Sequence, residues 1–165
     1  MITNFLLDHA ALVPLGLVLT AVACVGLGYA TRHSRRVQLA LTAVSLLGVL
    51  ALTLVPAATA GRVDPGCTVQ FSLPRLGSVE LLANVALLVP AACFAALASR
   101  RPLVVLAAGS GLSAAIEGLQ ALAPGIGRAC DTNDWAMNTL GVLVGVLLAV
   151  GTARLAGRGS RARPS

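Results

Sequence analysis

The sequence predicts an all-α integral membrane protein, a single bundle of about five transmembrane helices with the N-terminus outside and the C-terminus in the cytoplasm. First, 57% of the 165 residues are hydrophobic and only 11% are charged, whereas a soluble domain carries about 25% charged residues. Second, the apolar residues form runs about 20 residues long, the length at which a helix crosses a bilayer. Third, arginines gather after alternate runs, as is typical of cytoplasmic loops.

The apolar runs are interpreted as five spans. They cover residues 10–30, 37–57, 81–98, 103–123 and 135–155. The first run lacks the basic start of a secretory signal and is long enough to remain as a span. Residues 1–156 are therefore expected to form one transmembrane domain, and residues 157–165 a disordered basic tail that touches anionic lipid headgroups.

The arginines also predict the orientation of the bundle. Nine of them follow the first, third and fifth spans, so they lie on one side, which the positive-inside rule assigns to the cytoplasm. Every carboxylate except that of Glu117 lies on the opposite side, and the long loops 58–80 and 124–134 are expected there too. The net charge of +6 does not indicate nucleic-acid binding, because the arginines share no soluble face and aromatic residues make up only 3%.

Glu117 is the most informative residue, because it lies inside an otherwise apolar span. A carboxylate at membrane depth is costly, so it usually marks a functional or tightly paired site. Ser113 and Gln120 are spaced to share its helical face. Lipid offers these groups no hydrogen-bond partner, so they are expected to face other polar side chains inside the bundle.

Two neighbouring spans supply such side chains. On the fifth span, Asp134 and Asn138 share a face with Gly141 and Gly145, whose GxxxG spacing favours close helix packing. Asn84 lies near the outer end of the third span. The three faces are therefore expected to converge in the outer half of the bilayer.

The loop before the fifth span adds two charged candidates. Arg128 is placed to reach a carboxylate, and an Arg–carboxylate pair is often bidentate. Asp131 and Asp134 have a structural alternative, since carboxylates also cap helix N-termini. Glu117 also has a structural alternative, as a protonated group that only links helices. An intramembrane Asn such as Asn138 often links helices by a hydrogen bond.

The four cysteines fall into two pairs. Cys67 and Cys130 lie in the two long loops, on the side expected to be oxidising, where a bridge would join these loops. Spacing alone leaves a bridge and free thiols equally open. Cys24 and Cys93 lie within spans and are expected to be small apolar core residues.

These polar residues resemble the pattern of the VanZ-like family of bacterial membrane proteins. The resemblance covers about residues 81–150 and rests on Asn84 with Leu87, Leu88 and Pro90, on Ser113, Glu117 and Gln120, and on Arg128, Asp131, Asp134, Asn138, Gly141 and Gly145. It implies a small multi-pass protein of the bacterial plasma membrane, in a family linked to lowered susceptibility to glycopeptides such as teicoplanin. It implies no particular reaction.

Two functions from different classes follow. In the first, an outward-facing acidic pocket binds or acts on an envelope lipid or a cell-wall precursor. Its catalytic candidates are Glu117, Asp131 and Asp134, and its binding candidates are Asn84, Ser113, Gln120, Arg128 and Asn138. In the second, the polar cluster is structural and the protein is a non-enzymatic scaffold. The face of the fifth span that carries Gly141 and Gly145, which we call the glycine face, then binds a partner or a second copy. The inner halves of the spans are too apolar to favour a channel. No pattern identifies a cofactor, although carboxylate oxygens suit Mg²⁺ or Ca²⁺.

Overall fold

A computed structural model describes residues 12–56, 66–72 and 78–161. Within these ranges, five helices are long and apolar enough to cross a membrane, which confirms the predicted all-α membrane bundle. They are α1 (Leu12–Ala30), α2 (Arg35–Leu54), α3 (Val79–Ser99), α4 (Pro102–Leu122) and α5 (Thr132–Arg161). The side of the membrane on which each terminus lies stays a prediction.

The last helix departs most from its predicted bounds. It begins at Thr132 rather than at residue 135 and continues to Arg161. Residues 157–161, which belong to the predicted disordered tail, form the end of this helix, and the basic cytoplasmic tail itself stays a prediction. Residues 162–165, the start of the first predicted span and most of the loop 58–80 lie outside the described residues.

Local signals explain the ends of the central helices. The Ser34 side chain accepts a hydrogen bond from the backbone N–H of Val37 and so caps the start of α2. The end of α3 is set by Arg100, which adopts the left-handed conformation (φ 57°) found at many helix ends. Pro102 then begins α4, at the position where a missing N–H costs nothing.

Helix α3 forms the centre of the bundle, with 56% of its span buried. It packs closely against α5, where a Cβ atom on Gly141 would collide with the carbonyl oxygen of Val85. A Cβ atom on Gly145 would likewise collide with the carbonyl oxygen of Val89. The glycine face of α5 is thus occupied by α3 of the same chain, which lets the two backbones approach.

The outer surface of the bundle is apolar. Large hydrophobic side chains stand exposed along its helices, among them Val44, Leu47, Leu103, Leu122 and Leu147. Such a surface is unfavourable in water but suited to the hydrocarbon of a bilayer. These exposed side chains and the five apolar helices together support the interpretation as a multi-pass membrane protein.

The two ends of the bundle differ. At the end where α3 and α5 begin, β1 (Cys67–Thr68) pairs in parallel with β2 (Cys130–Asp131), and a disulfide joins Cys67 to Cys130. We call this the disulfide end. At the other end lie Arg32, Arg35, Arg36, Arg100, Arg101 and Arg154. We call this the arginine end.

Candidate functional site

Glu117 lies on the buried face of α4 near the disulfide end. Ser113, Ile116 and Gln120 complete this face, because helical periodicity brings every third or fourth residue to the same side. Only 7% of Glu117 is exposed. Its Oε2 accepts a hydrogen bond of 2.9 Å from the backbone N–H of Asp131. This bond ties α4 to the short strand that precedes α5.

Asp131 occupies the N-terminal cap of α5. Its Oδ1 accepts a hydrogen bond of 2.8 Å from the backbone N–H of Asn133, and its Oδ2 accepts one from the side-chain amide of Gln70. Both carboxylate oxygens therefore have partners inside the protein. This arrangement is that of a helix cap, which was the structural alternative for Asp131, and a functional role for its carboxylate stays a prediction.

Asp134 links the two most tightly packed helices. Its Oδ1 accepts a hydrogen bond from the Nδ2 of Asn84, so α5 and α3 are joined near the disulfide end. The carboxylates of Asp131 and Glu80 lie within electrostatic range of Asp134, and so does the guanidinium of Arg128. Among the described charges that act on Asp134, one cation stands beside two carboxylates, so this part of the bundle favours positive charge and hydrogen-bond donors.

Two of the predicted site residues do not join this cluster. The side-chain amide of Gln120 donates a hydrogen bond of 3.1 Å to the carbonyl oxygen of Thr53, and so binds α4 to α2. Arg128 is exposed and forms no ion pair with any described residue, so the expected bidentate pair is absent from the described part of the chain.

Two buried polar atoms have no hydrogen-bond partner among the described residues, Ser113 Oγ and Asn138 Oδ1. Ser113 is 0% exposed and Asn138 is 3% exposed. A buried polar atom left unpaired costs about 1–3 kcal/mol. Asn138 lies one helical turn below Asp134 on α5, so the two side chains project from the same face.

Three acceptor oxygens near the disulfide end thus have no hydrogen-bond partner within the described part of the chain, and we call them the open oxygens. They are Glu117 Oε1, Asp134 Oδ2 and Asn138 Oδ1. Glu117 lies within electrostatic range of Asp134. Such a set can accept hydrogen bonds from hydroxyl or ammonium groups. Among the described residues, no group of three or more His, Cys, Asp or Glu side chains is arranged to hold a metal ion.

The acidic side chains of the candidate site lie apart from three cavities in the bundle. Three cavities, of about 510, 480 and 160 Å³, lie elsewhere in the bundle, and none is lined by Glu117, Asp131 or Asp134.

Sequence reasoning missed the residues that hold the segment around Gln70 and Ser72 against the start of α5. Thr132 Oγ1 accepts a hydrogen bond of 2.9 Å from the backbone N–H of Gln70 and donates one of 2.8 Å to its carbonyl oxygen. Asn133 Oδ1 accepts one of 2.8 Å from the backbone N–H of Ser72. The run of cap-forming residues at 131–134 was the available signal. Their partners lie about 60 residues away in sequence, which no local pattern reveals.

Comparison with known proteins places the chain in a family. A search of curated proteins and a search of solved structures each found no match. A family model described as VanZ/LLP1 matches residues 17–154, a range that runs from α1 into α5 and contains every candidate site residue. The resemblance expected from residues 81–150 is therefore confirmed, and it extends to the first two helices. The chain belongs to the VanZ/LLP1 family.

Proposed function

We propose that this protein acts in the bacterial plasma membrane, where the open oxygens of Glu117, Asp134 and Asn138 face outward and bind a donor group of an envelope component. That component is an envelope lipid or a cell-wall precursor, and its binding lowers susceptibility to glycopeptides such as teicoplanin. The observation that carries the proposal is the set of three acceptor oxygens near the disulfide end that have no hydrogen-bond partner among the described residues.

The orientation in this proposal rests on charge and redox chemistry. The arginine end is rich in cations, and cytoplasmic loops of membrane proteins carry such an excess. The disulfide between Cys67 and Cys130 lies at the opposite end, and disulfides persist on the oxidising side of a membrane. Both features support an outward-facing acidic cluster.

The chemistry of the cluster narrows what it can bind. A carboxylate accepts charge-assisted hydrogen bonds, which are stronger than neutral ones and strengthen further where water is scarce. Ammonium groups and sugar hydroxyls are the matching donors in envelope precursors. Asp131 contributes by holding Glu117 in place, since its backbone N–H bonds to Glu117 and its own carboxylate is already paired.

Susceptibility testing of isosteric variants examines this proposal. We expect Glu117→Gln and Asp134→Asn to abolish the protection against teicoplanin that the wild type confers on a susceptible host. Loss of a charged hydrogen bond should weaken binding of a purified lipid-linked cell-wall precursor about tenfold. Glu80→Gln is the control, because it removes an exposed carboxylate at the same end of the bundle.

Membrane expression of each variant is measured by immunoblot of the membrane fraction. Equal expression with unchanged protection in Glu117→Gln and Asp134→Asn contradicts the proposal. Equal loss of protection in Glu80→Gln also contradicts it, since a general loss of negative charge would then account for the effect.

A structural role is the second candidate, and the bond between Asn84 and Asp134 favours it because it joins α3 to α5. In that case the same substitutions lower the melting temperature, and the wild-type protein itself does not bind the precursor. The scaffold version in which the glycine face binds a second copy is not supported, because α3 of the same chain covers Gly141 and Gly145.

A further inference from the structure

We propose that the cavity at the arginine end binds the phosphate headgroup of an anionic membrane lipid. This inference concerns the opposite end of the bundle and does not depend on the proposed function of the acidic cluster. It rests on the composition of the cavity wall, on lining arginines that have no anionic partner among the described residues, and on the side-chain amide of one buried residue.

The cavity has a volume of about 510 Å³ and lies where α1 and α3 end and α2 and α4 begin. Its wall is apolar, formed by Ala96 and Leu97 of α3 and by Ala149 and Val150 of α5. The guanidinium-bearing residues Arg32, Arg100 and Arg154 complete the lining. An apolar wall beside cations matches a lipid, in which a charged headgroup continues into hydrocarbon.

The arginines have no anionic partner in the described structure. No carboxylate of a described residue lies at the arginine end, and the side chains of Arg100 and Arg154 make no hydrogen bond within the described ranges. Arg32 is positioned by its own helix, since its Nη1 donates a hydrogen bond of 2.9 Å to the carbonyl oxygen of Tyr29 and its guanidinium lies 4.2 Å from the centre of that ring. Its other N–H groups remain available, and guanidinium groups match phosphate oxygens geometrically.

Gln38 is the observation that points to a bound group. It lines the cavity, it is only 5% exposed, and its side-chain amide makes no hydrogen bond to any described residue. The amide is not one of the fully enclosed unpaired atoms, so it is accessible from the cavity and free to bond to a group held there. Thr152, another buried polar residue of the wall, differs because its hydroxyl already donates to the carbonyl oxygen of Leu148. The Gln38 amide can donate to a phosphate oxygen held by the arginines.

A lipid fits this site better than free phosphate. Most of the lining side chains are alanine, leucine, valine or proline, which offer nothing to a small hydrated anion. The cavity lies at the ends of membrane-length helices, the level at which headgroups meet the hydrocarbon, and basic pockets between such helices commonly hold anionic headgroups.

Native mass spectrometry of the full chain tests the proposal. Short-chain phosphatidylglycerol is titrated into the purified protein, with phosphatidylcholine and inorganic phosphate as comparison probes. We expect phosphatidylglycerol to bind, and Arg100→Gln with Arg154→Gln to weaken that binding about 25-fold, or about fivefold per arginine. The matched control is Arg36→Gln with Arg101→Gln, which removes two arginines from the same end that do not line the cavity.

Three results would overturn the lipid site. These are equal binding of phosphatidylcholine, equal weakening in the control pair, and displacement of phosphatidylglycerol by inorganic phosphate at the same concentration. The last result would assign the cavity to a free anion instead.

Gln38→Leu provides an independent measurement that keeps the net charge constant. Because Gln38 makes no side-chain hydrogen bond within the described chain, this change should not lower the melting temperature. We expect it to weaken phosphatidylglycerol binding about fivefold through the lost donor. Unchanged lipid binding with a normal melting temperature counts against the site.

Discussion

The disulfide end and the arginine end of this bundle both carry polar residues, but the protein satisfies them differently. At the disulfide end, Asp131 and Asp134 bond to neighbouring segments of the chain, and a disulfide joins the same segments. At the arginine end, Arg100 and Arg154 have no partner in the described structure. The contrast indicates that internal contacts organise one end, while the other depends on its surroundings.

This contrast has energetic consequences. Hydrogen bonds and cross-links within the chain should add to the free energy of unfolding, whereas unpaired exposed arginines should add little. Substitutions at the disulfide end are therefore expected to lower stability, and substitutions of Arg100 or Arg154 at the arginine end to alter lipid binding without lowering stability. Four measurements, in order of decreasing predicted change, test this difference.

Removal of the disulfide should have the largest effect. The bridge spans a sequence separation of 63 residues, and closing a loop of that size restricts the unfolded chain by about 4 kcal/mol in the chain-entropy model. We expect Cys67→Ser with Cys130→Ser to lower the free energy of unfolding in detergent by this order. A reducing agent should destabilise the wild type and leave the double variant unchanged. Equal sensitivity of both proteins to the reducing agent would show that the bridge is not the cause.

Gly141→Ala should have the next largest effect. The added Cβ would meet the carbonyl oxygen of Val85, a backbone atom that cannot move aside cheaply, and overpacking of this kind costs about 3 kcal/mol. Gly151→Ala is the matched control on the same helix, because nothing lies within 4 Å of a Cβ atom there. We expect that control to be neutral or slightly stabilising in thermal unfolding. Similar losses in both variants would mean that helix propensity, rather than contact with α3, decides the outcome.

The Asn84–Asp134 bond should contribute less. In a double-mutant cycle with Asn84→Ala and Asp134→Ala, we expect a coupling free energy of about 2 kcal/mol, as for a hydrogen bond to a charged group. The same cycle between Asn84 and the exposed Glu80 should give a coupling near zero. A coupling of equal size in both cycles would show that a general change at the start of α3 is being measured.

The sequence was sufficient to predict the membrane-spanning helices, because the signals that define them are local. Runs of apolar residues predict spans by length alone, and Glu117 stands out because its surroundings are apolar. The same local reasoning places residues 157–161 in a disordered tail because of their arginine and glycine content. In the structure they add turns to the end of a helix that is already formed, and elongation of a helix is far easier than its nucleation.

The hydrogen-bond partners of these side chains were predicted less well, because they depend on which distant segments of the chain come into contact. Gln120 shares a helical face with Glu117, yet it bonds to Thr53 of α2, since this carbonyl is one of the last in its helix and has no partner within it. The sequence also gives no sign that the side chain of Gln70 donates a hydrogen bond to Asp131, whose role in catalysis stays a prediction. Family membership could be recognised from motif spacing, whereas the division between paired and open oxygens required coordinates.

Arg100→Gln should have the smallest effect on stability. The Arg100 side chain is exposed and makes no hydrogen bond within the described chain, so we expect a change of less than about 0.5 kcal/mol in the free energy of unfolding. Arg35→Gln is the informative comparison at the same end, because the Nε of Arg35 donates a hydrogen bond of 3.2 Å to the carbonyl oxygen of Ala98. Its loss should cost about 1 kcal/mol. If Arg100→Gln destabilises the protein as much as Arg35→Gln does, Arg100 is held by internal contacts too, and the difference between the two ends of the bundle does not hold.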